Sequence, residues 1–133
     1  MVDHLILSKR FALAFTGASN VRGALNKLWS SRRNLVAITC GEKGCYYIGQ
    51  SAPGKIVHHR AFKTDAVDTT GCGDVFHGAY AAALARDFSA HDRIRFASAA
   101  AALKAKRIGG QTGIPTEQEL LKFLRGQATQ IKV

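Results

Sequence analysis

Acidic residues are scarce in this chain: nine Asp plus Glu stand against 19 Lys plus Arg in 133 residues, a formal charge of +10 at pH 7. That imbalance favours polyanionic partners or a phosphorylated ligand, and charge alone does not choose between them. Cysteine is also sparse. Cys40, Cys45 and Cys72 are odd in number and no pair has CxxC spacing, which argues against a disulfide framework or a zinc knuckle and leaves them as buried thiols. No uninterrupted apolar run approaches the ~20 residues that span a bilayer. No basic region followed by an apolar stretch and a cleavage site opens the chain, so a soluble, cytoplasmic protein without a membrane partner is expected. Repeats, low-complexity tracts and linkers are missing too, and 47% of the residues are hydrophobic, so the chain reads as one domain, 1–133, with a modest core.

What is present has the alternating order of a layered α/β protein. Asp3 to Ser8 reads as a short strand, followed by a connector and a helix that Asn20 caps, with Val21, Leu25 and Leu28 on one face. Leu35–Thr39 is a continuous β-rich run of the kind found in a sheet covered on both sides. With Gly41–Gly44 and Cys45–Ile48 it makes a hairpin signature. Lys55–His59 reads as a further strand and Thr64–Gly73 as a loop. Helices are expected over Val75–Arg86 and over His91–Lys106, the second with a capping box from Ser89 and Asp92. A last helix starts through Pro115, Thr116 and Glu119.

Several motifs fail on inspection. Gly49 to Lys55 follows a P-loop for seven positions, but Ile56 stands where the magnesium-binding hydroxyl belongs. Gly71-Cys72-Gly73 starts like a dinucleotide fingerprint, yet Phe76 occupies the third glycine position. His58 and His59 are neighbours on a strand and point to opposite faces, so they do not chelate one ion and read as surface residues. The basic pairs Lys9-Arg10 and Arg32-Arg33 and the run from Lys104 to Arg107 are scattered over separate elements with no nucleic-acid-binding motif around them. A basic nucleic-acid-binding protein is therefore the least favoured reading.

One segment stands out, Asp68-Thr69-Thr70-Gly71-Cys72-Gly73-Asp74-Val75-Phe76. Its glycines let the backbone approach a ligand, and a helix starting at Asp74 turns its free N–H groups and positive dipole end toward the loop, which makes an anion hole. An aspartate at its mouth could accept a proton from an alcohol while the hole stabilises a phosphoryl group in transfer. The plain alternative is that Asp74 merely begins a helix after a glycine-rich turn.

The longer pattern Asp68-Thr-x-Gly-x-Gly-Asp-x-Phe76 resembles the C-terminal signature of the PfkB, or ribokinase-like, family of carbohydrate kinases, with six positions matching in order. The resemblance runs through nearly all of Asp3 to Leu124. It implies the C-terminal, nucleotide-binding part of a ribokinase-like three-layer α/β/α fold with a truncated sheet. It also implies Asp74 as catalytic base and Gly71, Cys72 and Gly73 as the anion hole, Cys72 replacing the usual alanine. It further implies that Thr39, Gly41 and Gly44, which resemble the family's Thr-x-Gly-x-x-Gly element, contact nucleotide phosphates and ribose. Ala105 and Gly110 lie in a closing adenine loop, Lys104–Gly113, which in family members often holds a monovalent cation together with Asp68 and the carbonyl of Thr70. The implied ligands are ATP, Mg2+, possible K+, and a sugar or similar small-molecule alcohol; the implied protein partner is a second copy or a separate N-terminal half. One departure bears on chemistry. Where many relatives have Asn-x-x-Glu near the magnesium site, this chain has Ser8-Lys9-Arg10-Phe11, which offers no oxygen ligand at the last position. A non-catalytic nucleotide-binding remnant is the corresponding alternative.

Overall fold

Ser8 ends the first strand and at the same moment starts a helix. In a computed structural model that describes residues 2–129, β1 (His4–Ser8) runs directly into α1 (Lys9–Thr16), whose Phe11 N–H donates to Ser8 Oγ at 3.3 Å. Gly17 closes α1 in the left-handed region, at φ 67°, with its N–H on Leu13 O. The expected connector is therefore a helix of two turns, and its signals are the cap at Ser8 and the glycine at 17. Asn20 then caps α2 (Val21–Leu28) as expected, accepting from Gly23 N at 2.8 Å.

The chain divides into two units, Met1–Ala61 and Phe62–Val133. In the first, α1 and α2 carry the chain back so that β2 (Leu35–Thr39) pairs parallel to β1, from His4↔Leu35 to Ser8↔Thr39. A 3-10 turn at Gly41–Lys43 reverses direction into β3 (Cys45–Gly49), antiparallel to β2. Beyond it β4 (Val57–His59) completes a sheet of order β1-β2-β3-β4. The last strand is shorter than expected, since Lys55 and Ile56 do not pair. Ala12, Leu25 and Leu28 from the helices bury against Val36, Ile38 and Ile48. The other face of β2, Leu35 and Ala37, is buried as well, which is why this strand shows no alternation in sequence.

The second unit is helical. It contains α3 (Cys72–Ala85), α4 (Ala90–Ala105) and α5 (Glu117–Thr129). Alanines 83, 99 and 100 give a low-relief contact, and Phe96, Leu103 and Leu120 fill the remaining space. One correction to the sequence reading concerns a helix start. α3 begins at Cys72 rather than at Asp74, after Gly71 in the left-handed region, so Asp74 sits within the first turn. At α4, Ser89 Oγ accepts from Asp92 N at 3.1 Å and lies 2.9 Å from Asp92 Oδ2, which is a cap held through the two side chains. The box at α5 is reciprocal: Glu119 N donates to Thr116 Oγ1 at 3.2 Å and Thr116 N to Glu119 Oε2 at 2.8 Å.

Glu119 also pairs with Arg107, with Nη2 to Oε1 at 2.8 Å, and that bond followed by the Thr116 N–H lowers its pKa from an ordinary 4.5 to about 2. The folded carboxylate binds its proton less readily than the unfolded one. Its contribution to stability is therefore full above 4.5 and is lost as the pH falls toward about 2. Replacing it by Gln should lower stability at neutral pH and flatten that part of the acid limb. Melts of both forms between pH 7 and pH 2 read the difference, and parallel acid limbs would refute it.

Candidate functional site

Asp74, Gly78, Ala82 and Arg86 recur every four residues along α3 and so share one face of the helix. In the structure that face is one wall of a cavity of about 570 Å³, which begins at Thr70 and Gly71 and ends at Arg86. At a rise of ~1.5 Å per residue this wall is about 20 Å long. Phe96 and Ala100 of α4 form a second wall, and Gly110 to Pro115 a third. Arg86 reaches across to Glu117 with two hydrogen bonds, Nη2 to Oε2 at 2.9 Å and Nη1 to Oε1, and this bidentate pair bounds the far end.

The near end is polar. Gly71 adopts φ 77° and no side chain caps the helix. Cys72 N–H is spent on Thr69 O at 3.2 Å, whereas the first-turn N–H groups of Gly73 and Asp74 have no partner among the described residues. They are two free donors at this end of the cavity, whereas Cys72, expected to be part of an anion hole, has no free N–H to offer. Cys72 lends no side-chain chemistry. Its Sγ lies 3.6 Å from Ala101 O and burial pushes its thiol pKa up, so it stays protonated. Asp74 lines the cavity beside these donors, and its carboxylate meets no hydrogen-bond or ionic partner among the described residues. His77, one turn on, donates from Nδ1 to Gly73 O at 2.6 Å, which fixes the carbonyl side of the same turn.

Asp68 braces the loop from behind. Its Oδ1 accepts from Thr70 N and its Oδ2 from Gly109 N, both at 2.9 Å. The Thr70 side chain first, and then the Gly109 N–H, hold its carboxyl well below the usual carboxylate range. Gly110 lines the cavity, but Ala105 does not. Ala105 is buried, and its carbonyl receives the N–H groups of Val67 and Asp68 at 2.7 and 3.1 Å.

Thr39, Gly41 and Gly44 belong to the first unit, in the turn between β2 and β3. Thr39 Oγ1 lies 3.4 Å from Leu7 O, and Cys40 N donates to Gly44 O at 2.7 Å. His58 stacks on Tyr46 with ring centres 4.1 Å apart and donates from Nε2 to Lys43 O at 2.7 Å, so it props the turn up from outside. The expected surface role of His58 is thus a structural one.

Sequence reasoning missed Gly78, Ala82, Arg86 and Lys104. The first three were legible as the four-residue recurrence from Asp74. Lys104 was hidden inside a basic run, yet it is fully buried. No group of three or more His, Cys, Asp or Glu side chains among the described residues is placed to hold a metal ion. Among the described residues no helix is long and apolar enough to cross a membrane.

Comparison with known proteins gives the same picture from a different direction. The family described as pfkB family carbohydrate kinase matches residues 1–117. The ribokinase of Haemophilus influenzae is 40% identical over 89 residues, taking in 67% of this chain and 28% of that protein, so the chain spans under a third of this relative's length. Ribokinase from Thermotoga maritima superposes with a TM-score of 0.83 at 31% identity, over 92% of this chain and 42% of its own. Arabidopsis thaliana ribokinase complexed with ribose and ATP does so with a TM-score of 0.81 at 28% identity, over 92% and 41%. The fold is ribokinase-like α/β.

Proposed function

The chain belongs to the pfkB family of carbohydrate kinases, and from that membership we propose that residues 1–133 are the nucleotide-binding part of an ATP-dependent phosphotransferase acting on a sugar hydroxyl. The observation that carries the reading is the juxtaposition, at one end of one cavity, of two unspent first-turn N–H donors with an unpartnered carboxylate. In this reading Gly73 and Asp74 N–H, aided by the α3 dipole, hold the phosphoryl group, and the Asp74 carboxylate takes the proton of the attacking hydroxyl. Little covalent work is left for the protein in such a transfer, since positioning and charge stabilisation supply most of the catalysis. The groove past Gly78 and Ala82 takes the nucleoside, and Arg86 with Glu117 limits its length. Magnesium enters with the nucleotide phosphates, consistent with the usual preference of that ion. For the turn from Thr39 to Gly44, in the first unit, the family resemblance implies a nucleotide contact of its own. A ribose or fructose acceptor is the first choice to assay, because the relatives are ribokinases and fructokinases.

Gly78 gives a test in which folding and binding move in opposite directions. A Cβ built there meets nothing within 4 Å, and the residue lies inside a helix. Gly78→Leu should therefore raise helix stability by up to about 1 kcal/mol while filling the groove. Calorimetry with MgATP is expected to show binding by the native chain and a loss of at least about tenfold in affinity in the variant, a difference of ~1.4 kcal/mol. No heat from the folded native chain at millimolar MgATP, or equal affinities, would remove the basis of the reading. A second reading, nucleotide binding without phosphoryl transfer, is favoured by Phe11, which stands 54% exposed on α1. It predicts MgATP binding with no sugar-dependent turnover.

A further inference from the structure

Lys104 is the one charged residue among the described core, with no exposed side-chain surface. Lysine is almost never fully buried unless its charge is met by partners. Here Nζ donates to Asp68 O at 2.9 Å and Arg107 O at 3.3 Å, and it stands 3.9 Å from Asp68 Oδ2. Two carbonyls and one carboxylate thus converge on a single positive charge. They come from both segments that bound the near end of the cavity: the Asp68–Thr70 turn leading into Gly71, and the loop after α4. Gly113 lies directly against the stem, where an added Cβ would approach Lys104 Cε to 3.2 Å, so the ammonium is held in place by packing as well as by bonds.

A loosely bound monovalent cation is expected from the family resemblance at Asp68 and Thr70. The residues present do not leave that role open. Both carboxylate oxygens of Asp68 already accept backbone N–H groups, from Thr70 and Gly109, and its negative charge faces the buried ammonium. A second cation there would meet an already compensated carboxylate and the repulsion of a fixed charge in a low-dielectric setting.

We propose that the Lys104 ammonium serves this chain as a built-in monovalent cation, tying the Asp68–Thr70 turn to the 107–109 loop, so that the nucleotide site needs no potassium. Lys104 is then a positioning residue. It touches no substrate and acts by fixing the turn that presents the Gly73 and Asp74 donors. The link to nucleotide rests on the function proposed above, whereas the internal cation itself does not.

The test compares potassium chloride with choline chloride at equal ionic strength, using melting temperature and MgATP calorimetry on the whole chain. The native protein should melt alike in both salts and bind MgATP with affinities within about twofold. Lys104→Met keeps most of the stem and removes the charge, leaving two buried carbonyls without their donor. It is expected to melt about 10 °C lower or more in choline. Lys104→Ala leaves room for a replacement, and potassium or ethylammonium, but not choline, should recover part of the loss. A native melting temperature or affinity that rises several-fold or by many degrees on adding potassium would overturn the proposal, and this result does not depend on either variant folding. A Lys104→Met chain as stable as the native one would overturn it too. Absence of MgATP binding in both salts, with salt-indifferent melting and an amine-rescued Lys104→Ala, would count against the kinase reading and leave the internal cation standing.

Discussion

Asp74→Asn is expected to lower ATP-dependent sugar phosphorylation by about 10²–10⁴-fold while leaving the MgATP dissociation constant within about threefold. The substitution is isosteric and keeps the residue in the first turn of α3, so the free N–H donors of Gly73 and residue 74 stay where they are. What disappears is the proton acceptor. No neighbouring carboxylate stands ready to replace it, since Asp68 is committed to Thr70, Gly109 and Lys104, and Glu117 is committed to Arg86. A coupled assay with ribose and fructose, run beside calorimetry on the same samples, separates chemistry from binding. Unchanged turnover in the variant would show that another group accepts the proton, and parallel losses of turnover and affinity would show that Asp74 matters for holding the nucleotide instead.

Gly44→Ala is expected to destabilise the first unit by about 2–5 kcal/mol, combining left-handed backbone strain with overpacking. At φ 91° an added Cβ would overlap the carbonyl oxygen of His59 and stand 2.8 Å from Ala61 N. Both obstacles are backbone, held by the β3–β4 pairing, and neither has a rotamer to give way. Gly41, three residues earlier, is the control. It also has positive φ, 56°, but a Cβ there meets nothing within 4 Å, so Gly41→Ala carries only the conformational cost of roughly 1 kcal/mol. Denaturant melts of the two variants should differ accordingly, and equal stabilities would show that the turn relaxes freely. The contrast affects how binding data are read. Loss of nucleotide affinity on changing Gly44 reports the collapse of a turn, whereas the same loss on changing Gly41 reports a contact.

How much of this was legible beforehand depends on where the determining interactions lie along the chain. The hairpin of Leu35–Thr39 and Cys45–Gly49 could be read because turn glycines and β-rich runs are local signals. The reciprocal Thr116–Glu119 cap was equally local. α1 was missed although Ser8 and Gly17 mark both its ends, because its sequence KRFALAFT leaves Phe11 and Phe15 exposed and so lacks a clear buried stripe. The start of α3 shifted by two residues because a left-handed Gly71 can begin a helix without a side-chain cap. At the candidate site, the signature from Asp68 to Phe76 pointed to Asp74, the proposed base, and to the loop before it. It could not name Lys104, whose partners are 36 residues away at Asp68 and across a turn at Arg107, nor the Arg86–Glu117 pair, separated by 31 residues. Those depend on which elements the fold brings side by side.

The parallel pairing of β1 with β2 has a consequence in time. β2 and β3 are joined by a short turn and find each other at little entropic cost, whereas His4 must close a loop of some thirty residues to reach Leu35. On a ribosome, β1 leaves the tunnel before β2, and the strand it pairs with does not exist until residue 39 has been added. Leu5, Ile6 and Leu7 therefore wait for β2 while α1 and α2 are being made, so the earlier strand of this pair gains its shared hydrogen bonds late.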